Sequence, residues 1–386
     1  MPAHIASYYT AFCAEFIGGL QKPYFIDPMT YVFAQDPAIL KRALRDKKGK
    51  IIRDALKQKI KGNTKRSYLK LIERAYKGIV EQVVNQNRRM NPSDLGDAAV
   101  ADELVQNVVA FQRSSLSSLP AKYKKYAKYA VGRTLPTENL PMLIVPPYFY
   151  TANASWHRVN LDLAARAKAL VSDLPVFGMI FCSTQTIEAS GEQIVKDFGK
   201  IGLDGFILWV NDFSGMQGFK QLRLVRDCVS SLANFQRPVI SMYSDAFSLV
   251  LAYVGLTAYC CGICYAERKA ADQDSEMEGA LPVRYYVKQL KKKVQIETEA
   301  RRIPLRDYGL TCECEICKRT VDPVLLDDSK AREHFMLIRQ QEIESIRGGQ
   351  SSAEFSQMLR DAYEHYVEEP LLSPVTHLAN WSKLLT

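Results

Sequence analysis

Residues 175–183 read "PVFGMIFCS" and residues 204–212 read "DGFILWVND", with the stretch "GEQIVKDFGKIG" between them. Each flanking run is short and apolar without alternation, which is typical of a strand buried on both faces of a parallel sheet. The stretch between them repeats apolar residues at helical spacing. These residues therefore predict a strand–helix–strand unit, which is the building block of an α/β fold.

Similar units recur on both sides of this one. Short apolar runs occupy 141–150, 237–245 and 258–267, and helical stretches separate most of them. Adding "KPYFIDPMTYVF" at 22–33 and "VRYYVKQL" at 283–290 gives about seven units, close to a closed (β/α)8 TIM barrel. A doubly wound open sheet is the alternative, but no glycine-rich phosphate loop follows any of these strands. We therefore expect the barrel.

The net charge of +9 is concentrated in one part of the chain. Residues 41–91 carry 17 Lys and Arg against 4 Asp and Glu, which exceeds the net charge of the whole protein. A second run, "KYKKYAKYAVGR" at 122–133, interleaves lysines with tyrosines. A solvated helical face is the ordinary interpretation, but this concentration favours a polyanionic partner such as a nucleic acid. The candidate phosphate contacts are Lys47, Lys48, Lys50, Lys65, Arg66, Lys124 and Lys125.

Neither a membrane nor an export route is indicated. No apolar run reaches the ~18–20 residues that a bilayer span needs, and the first residues lack a basic stretch followed by an apolar one. We expect a cytoplasmic protein without a membrane partner. Its nine cysteines are then thiols and metal ligands rather than a disulfide framework.

Three of those cysteines lie within "LTCECEICKRT" at 310–320, as Cys312, Cys314 and Cys317. Three thiolates and one imidazole make a tetrahedral set that closes the coordination shell of Zn²⁺, so a structural zinc site is predicted. His334, in "KAREHF", is the nearest candidate for the fourth ligand. His365 and His377 are the alternatives.

A second group, Cys260, Cys261 and Cys264 in "YCCGICYAE", lies in apolar, strand-like surroundings. Cysteine in such surroundings behaves as a small buried hydrophobe, so we interpret this group as core packing. The domain organisation that follows from these patterns is a barrel start at 1–36, a basic helical insertion after strand 1 at 37–135, the remainder of the barrel at 136–305, and a zinc-binding subdomain with C-terminal helices at 306–386.

The cysteine motif, the histidine that follows it and the preceding α/β units together resemble the queuine/archaeosine tRNA-guanine transglycosylase family. The strand–helix–strand unit at 175–212, "RPVISMYSDAFSLVLAYVGLTAYCC" and "EHFMLIRQQEIESIR" are similar to stretches of that family. The likeness covers 140–345 and 22–34 but leaves out the insertion. Because the tRNA enzymes lack that insertion, the chain looks more like the divergent branch that places 7-deazaguanine bases into DNA.

The resemblance implies exchange of guanine for a 7-deazaguanine in a polynucleotide, through carboxylates at the mouth of a barrel. Asp27 matches the family's strand-1 Asp, which contacts the base and serves in acid–base chemistry. The nucleophilic Asp of the family falls on Cys260, and the base-reading Asp falls within "IVPPYF", which has no acid. The chain therefore departs from the family's pocket at both positions.

Other residues at the ends of predicted strands are candidates for the missing roles. Asp212 and Asp245 are the candidate nucleophiles, although an Asp in such a place is commonly a helix N-cap or a turn residue. The candidate substrate contacts are Cys260, Glu267, Asn211 and His157.

Three hypotheses follow: a base-exchanging transglycosylase acting on DNA rather than tRNA, a non-catalytic nucleic-acid-binding subunit of the same design, and an N-glycosidase that removes a base without replacing it. The resemblance further implies a homodimer that pairs through the zinc region, or a partner subunit.

Overall fold

The structure is a computed structural model. The residues it describes are 1–20, 22–40, 64–116, 140–262, 267, 271, 282–301, 305, 307–318, 325–369, 372 and 374–386. They divide into two compact units. The first comprises Met1–Cys182 and Gln193–Ile207, and the second comprises Ser183–Glu192 and Leu208–Thr386.

A four-stranded parallel sheet makes this a mixed α/β fold. The strands are β1 (Phe177–Cys182), β2 (Gly205–Val210), β3 (Val239–Ser241) and β4 (Ala258–Tyr259), and they are ordered β1-β2-β3-β4. Every residue of β1 is buried, as a strand covered on both faces requires. β4 pairs in parallel with β3, with Ile240 opposite Ala258 and Ser241 opposite Tyr259. The strand–helix–strand prediction for 175–212 is confirmed.

Two predicted strands are reduced to single bridges. Within 141–150 only Ile144 bridges to Val176, and within 22–33 only Asp27 bridges to Pro2. Proline explains both cases, because Pro146, Pro147 and Pro28 have no N–H to donate to a ladder. The described residues therefore form an α/β sheet without tracing a closed eight-stranded barrel.

The stretch 283–290 differs from its prediction as a parallel barrel strand. β5 (Arg284–Val287) pairs antiparallel with β6 (Lys292–Gln295) in a separate two-stranded sheet. A tight turn joins them, and Lys291 takes the left-handed backbone conformation with φ 52°. Since a turn this short can connect only antiparallel neighbours, the segment cannot be a repeat of the strand–helix unit.

The first unit is mainly helical before the sheet begins. Asp97 and Asn153 cap helices α5 and α6, each by accepting backbone N–H groups on its side-chain oxygen. α1 packs against α3, and α5 packs against α6. The helices are α1 (Ala3–Tyr8), α2 (Thr10–Leu20), α3 (Arg66–Arg74), α4 (Ile79–Asn85), α5 (Ala98–Ser114) and α6 (Ala154–Leu170), with short 3₁₀ turns at Thr30–Ala34, Pro37–Leu40 and Pro92–Leu95.

The second unit carries the metal-ligand motif and the last helices. The π-helical turn Ile296–Ala300 follows β6, and helix α7 (Thr184–Lys200), which follows β1, contributes only its residues up to Glu192 to this unit. Trp381 is fully buried, and its Nε1 donates a 2.7 Å hydrogen bond to the carbonyl of Gly215. The remaining helices are α8 (Phe219–Ala233), α9 (Ser248–Ala252), α10 (Glu315–Lys318), α11 (Asp328–Arg347), α12 (Ser352–Tyr366) and α13 (Thr376–Leu385). Within the described ranges, none of the helices combines the length and the apolarity that crossing a bilayer requires.

Candidate functional site

The structure brings the four predicted metal ligands together. Cys312 and Cys314 precede α10, Cys317 lies on it, and His334 lies on α11. The three sulfur atoms and one imidazole nitrogen all lie within 4.8 Å of one another. Nδ1 of His334 is 3.4 Å from Sγ of Cys314 and 3.3 Å from Sγ of Cys317. Tetrahedral zinc with its usual bond lengths separates such ligand atoms by about 3.5–3.8 Å, so the group could hold a metal ion such as zinc.

The surroundings of His334 orient it as a ligand. Its side chain is fully buried, and its Nε2 donates to the carbonyl of Tyr286 at 2.8 Å. That hydrogen bond leaves Nδ1 as the lone-pair nitrogen and points it at the thiols. The ring also stacks on Tyr285, with centroids 4.5 Å apart and planes 13° apart.

Contacts among the cysteines favour a thiolate at Cys312. A hydrogen bond from Cys317 lowers the pKa of the Cys312 thiol to about 4, and the same contact raises the pKa of Cys317. The backbone N–H of Cys314 donates to Sγ of Cys312 at 3.3 Å, which further favours the thiolate. Burial raises the pKa of the neighbouring Tyr285 hydroxyl, so this side chain stays neutral beside the sulfur atoms. The arrangement stabilises negative charge on sulfur, the form that binds a metal.

The other candidate ligands lie apart from this group. His365 is exposed on α12. His377 is buried, and its Nε2 lies 2.9 Å from the carbonyl of Leu290. Cys260 and Cys261 follow β4, burial raises the pKa of Cys261 to about 11, and Cys264 lies outside the described residues. Among the described residues, the Cys312 group is the only cluster of three or more metal-ligand side chains.

Asp27 is the most deeply buried of the candidate carboxylates, with no exposed area. Its Oδ1 accepts a 2.7 Å hydrogen bond from the hydroxyl of Tyr148 and a 2.9 Å hydrogen bond from the backbone N–H of Met29. Burial raises the pKa values of Tyr31 and Tyr76, and the charge of Asp27 adds to both shifts. Asp27 therefore sits in a tyrosine-rich interior of the first unit.

Asp212 is engaged at the start of α7. Its Oδ1 accepts from the backbone N–H of Thr184 and its Oδ2 accepts from the Thr184 hydroxyl, each at 2.7 Å. The hydroxyl of Ser183 accepts from the N–H of Thr186 in the same turn. The carboxylate thus satisfies a helix N-terminus and complements its dipole. Its neighbour Asn211 accepts from the N–H of Ala271 at 2.6 Å.

Asp245 is held by two backbone N–H groups. Its Oδ2 accepts from Gly215 at 2.8 Å and its Oδ1 accepts from Phe247 at 3.0 Å, and only 7% of the residue is exposed. A Cβ at position 215 would lie 2.7 Å from Oδ1 of Asp245, so only glycine allows this approach. The role is the turn and cap role that sequence reasoning weighed as the alternative to a nucleophile.

Glu267 belongs to a buried ion-pair network that sequence reasoning missed. Its Oε1 accepts from Nη2 of Arg339 at 2.9 Å, and Nη1 of Arg339 lies 3.3 Å from Glu342. Glu342 also accepts from Lys291 at 2.6 Å and from the Tyr286 hydroxyl. Burial raises the pKa of Glu267, whereas Arg339 opposes that shift. A signal was present, because Arg339 and Glu342 repeat on α11 one turn after the buried Phe335 and Ile338.

The remaining candidate substrate contacts also have local partners. His157 lies on α6 rather than in a loop, and its Nε2 is 3.1 Å from Oδ2 of Asp197. Cys260 extends the β3–β4 pairing, since its N–H donates to Ser241 at 2.8 Å and its carbonyl accepts from Ser244 at 2.9 Å. The side chain of His157 and the backbone of Cys260 are thus held by neighbouring elements of the fold.

Of the candidate phosphate contacts, two fall in the described part of the chain. Arg66 is exposed at the start of α3, and Lys65 precedes it, half-buried. The other five, Lys47, Lys48, Lys50, Lys124 and Lys125, lie outside the described residues.

No protein-family model matches the chain, and no curated protein matches it either. The interpretation of these sites therefore rests on their geometry and chemistry.

Proposed function

We propose that this protein binds a polynucleotide, and that its transglycosylase-like scaffold carries a structural zinc ion and serves binding rather than base exchange. One observation carries the proposal: every carboxylate nominated for chemistry is either held by hydrogen bonds or an ion pair within the fold or closed off from solvent. Asp212 and Asp245 accept backbone N–H groups, and Glu267 is ion-paired with Arg339. Asp27 has no exposed area through which a base could reach it. On the resemblance, the position of the family's nucleophile falls on Cys260, which is not an acid.

The donor set supports zinc in a structural role. Three thiolates and an imidazole suit Zn²⁺, and four protein ligands leave no open position for a reactive water. A bound ion would tie the Cys312–Cys317 segment to α11 and add binding energy to folding. Within this proposal the four-stranded sheet belongs to the (β/α)8 barrel that the resemblance implies, and the metal region is where a homodimer pairs.

The charge distribution supports the polyanion. Seven of the 17 basic residues of 41–91 fall in the described part, and most of them lie on or next to α3. DNA is the proposed partner rather than tRNA, because the basic insertion separates this chain from the tRNA enzymes it resembles. A 7-deazaguanine base within that DNA, and a cytoplasmic location, complete the proposal.

The binding test uses the full chain with duplex DNA, tRNA and single-stranded DNA across a salt series. We expect the logarithm of the binding constant to fall linearly with the logarithm of salt concentration, because phosphate contacts release counterions. Replacing Lys65 and Arg66 together by Gln should reduce the slope by about 2. The matched control is Lys196→Gln, which removes an exposed lysine from α7. No binding to any polynucleotide would overturn the proposal.

Base exchange is the second candidate, and Asp27 is the observation that favours it. Carboxylates are among the side chains that act as general acids and bases, and burial is one way in which enzymes tune them; Asp27 is buried and accepts a hydrogen bond from Tyr148. The test offers labelled 7-deazaguanine with duplex DNA and with tRNA, and follows both its incorporation and the release of guanine. The binding proposal predicts no turnover in either assay. Turnover that Asp27→Asn abolishes while binding persists would establish exchange instead.

A further inference from the structure

The N-terminal helices expose a line of aromatic rings. Tyr9 is 53% exposed, Phe12 66% and Phe16 52%, which are large values for such side chains. Phe12 and Phe16 lie four residues apart on α2, a spacing that places them on one face of that helix, and Tyr9 directly precedes α2. We call Tyr9, Phe12 and Phe16 the aromatic stripe.

Two rings of the stripe, those of Phe12 and Phe16, are close to parallel. Phe12 and Phe16 have centroids 6.2 Å apart and planes only 12° apart. The rings of Tyr9 and Tyr8 are nearly perpendicular, with planes 82° apart and centroids 4.6 Å apart, so Tyr8 supports Tyr9. Near-parallel exposed rings are an arrangement on which other planar groups can stack.

Positive charge lies beside the start of the stripe. α3 packs against α1, and Nζ of Lys70 lies 4.6 Å from the centroid of the Tyr8 ring. Nη1 of Arg74 donates to the carbonyl of Ser7 at 2.9 Å and to the hydroxyl of Thr10 at 3.1 Å. These contacts anchor both cationic side chains next to the residues from which the stripe begins.

We propose that the aromatic stripe and the basic side chains of α3 form a binding site for a single-stranded polynucleotide. Two or three unpaired bases would stack on the rings while Lys70 and Arg74 contact the backbone phosphates, which is the physical design of single-strand binding surfaces. A duplex cannot use the rings, because its base faces are already stacked. This inference rests on the proposed function and adds to it the strand state of the ligand and the place where it binds.

Charge complementarity favours this occupant over a protein. Lys65, Arg66, Lys70, Arg74 and Lys77 lie on or beside α3, whereas Glu73 and Glu15 are the acids of α3 and α2. An apolar protein partner would bury these positive charges without supplying negative ones. A second copy of this chain would place the same positive charges opposite them. Phosphates neutralise them.

The test measures fluorescence anisotropy of the full chain with a labelled single strand and with the matching duplex. Phe12→Ala/Phe16→Ala should weaken single-strand binding at least about tenfold and leave duplex binding unchanged, because only unpaired bases stack. Phe12→Trp/Phe16→Trp should retain or raise single-strand affinity, since stacking needs a ring. Phe219→Ala, which removes an exposed ring from α8, is the control and should change neither affinity. Unchanged melting temperatures would show that all variants fold.

The outcomes separate this inference from the proposed function. If the wild type binds neither ligand, both are overturned. If it binds with the expected salt dependence but the alanine variant keeps its single-strand affinity, only the stripe is overturned. If the alanine variant keeps that affinity and instead turns a dimeric wild type into a monomer, the stripe is a dimer interface and the inference is again overturned.

Discussion

Two buried histidines of the second unit show how surroundings decide the role of a side chain. His334 and His377 are 0% and 2% exposed, and each places Nε2 within 3 Å of a backbone carbonyl, of Tyr286 and Leu290 respectively. They differ in what the other nitrogen meets. Nδ1 of His334 lies 3.4 Å and 3.3 Å from the sulfur atoms of Cys314 and Cys317. Neither ring nitrogen of His377 belongs to that group of metal-ligand atoms. Burial and an orienting carbonyl therefore do not make a ligand; converging donors do.

The largest expected difference comes from replacing each histidine by glutamine. His334→Gln should lose the bound metal and lower the free energy of unfolding by about 4 kcal/mol or more, because a buried thiolate cluster is left without its cation. His377→Gln should keep the metal and lose only about 1–2 kcal/mol with its buried hydrogen bond. Metal content by mass spectrometry and chemical denaturation check both. Equal metal content in the two variants would refute the assignment.

His377 should also make the stability of the protein depend on pH. Burial lowers the pKa of His377 from 6.5 to about 4, so below pH 6.5 the unfolded chain binds a proton that the folded chain does not yet bind. Stability is therefore highest above pH 6.5 and falls, by up to about 3 kcal/mol from this group, as the pH approaches 4. The measurement is the difference in unfolding free energy between wild type and His377→Gln from pH 7.5 to 4.5. Because both proteins keep the candidate metal ligands, this difference separates the protonation of His377 from acid release of the metal. A difference that does not vary with pH would contradict it.

A smaller effect is expected from the ring that stacks on His334. Tyr285→Leu removes that stack and should weaken metal affinity about tenfold, because outer contacts hold a ligand in its orientation. Tyr285→Phe keeps the ring and loses only the hydroxyl, which lies 3.8 Å from Sγ of Cys317, so we expect a change within about twofold. Competition with a coloured chelator measures both. Similar losses in the two variants would assign the effect to the hydroxyl instead.

The smallest effect concerns a carboxylate that, like His377, lies outside the group of candidate metal ligands. Asp212→Ala should lower the free energy of unfolding by about 1 kcal/mol, because it frees the first N–H of α7. Glu192→Ala, an exposed acid on the same helix, should stay within about 0.5 kcal/mol. Thermal unfolding of both checks this. If Asp212→Ala lowers the free energy of unfolding by less than about 0.5 kcal/mol, Asp212 does not stabilise the helix as a cap.

The convergence of the three candidate cysteine ligands could be predicted because their sequence spacing limits their geometry. Cys312, Cys314 and Cys317 are so close along the chain that their sulfur atoms converge in any compact loop leading into a helix. The choice among His334, His365 and His377 was less constrained. It depended on which helix face packs against the hairpin of β5 and β6, and this is a tertiary contact.

The roles of the carboxylates were much harder to predict. Asp212, Asp245 and Glu267 were nominated because each follows an apolar run, and strand ends are where barrels place reactive groups. The same position also puts an acid next to a helix N-terminus or a turn that needs an acceptor. The partner of Glu267 is Arg339, 72 residues away; the spacing on α11 indicates that Arg339 lies on the buried face, but it does not identify Glu267 as the partner.

By itself the sequence determined the alternation of buried strands and helices around 175–212, the basic character of 41–91 and the cluster of three thiols that could bind a metal, because each depends on residues that are neighbours along the chain. Only the tertiary structure decided that 283–290 turns back as an antiparallel hairpin, that His334 rather than His377 meets the sulfur atoms, and that the nominated carboxylates are engaged by backbone N–H groups, Tyr148 or Arg339. These outcomes depend on partners brought together by folding. The free energy of satisfying a buried polar group is gained from whichever partner arrives, irrespective of its distance along the sequence.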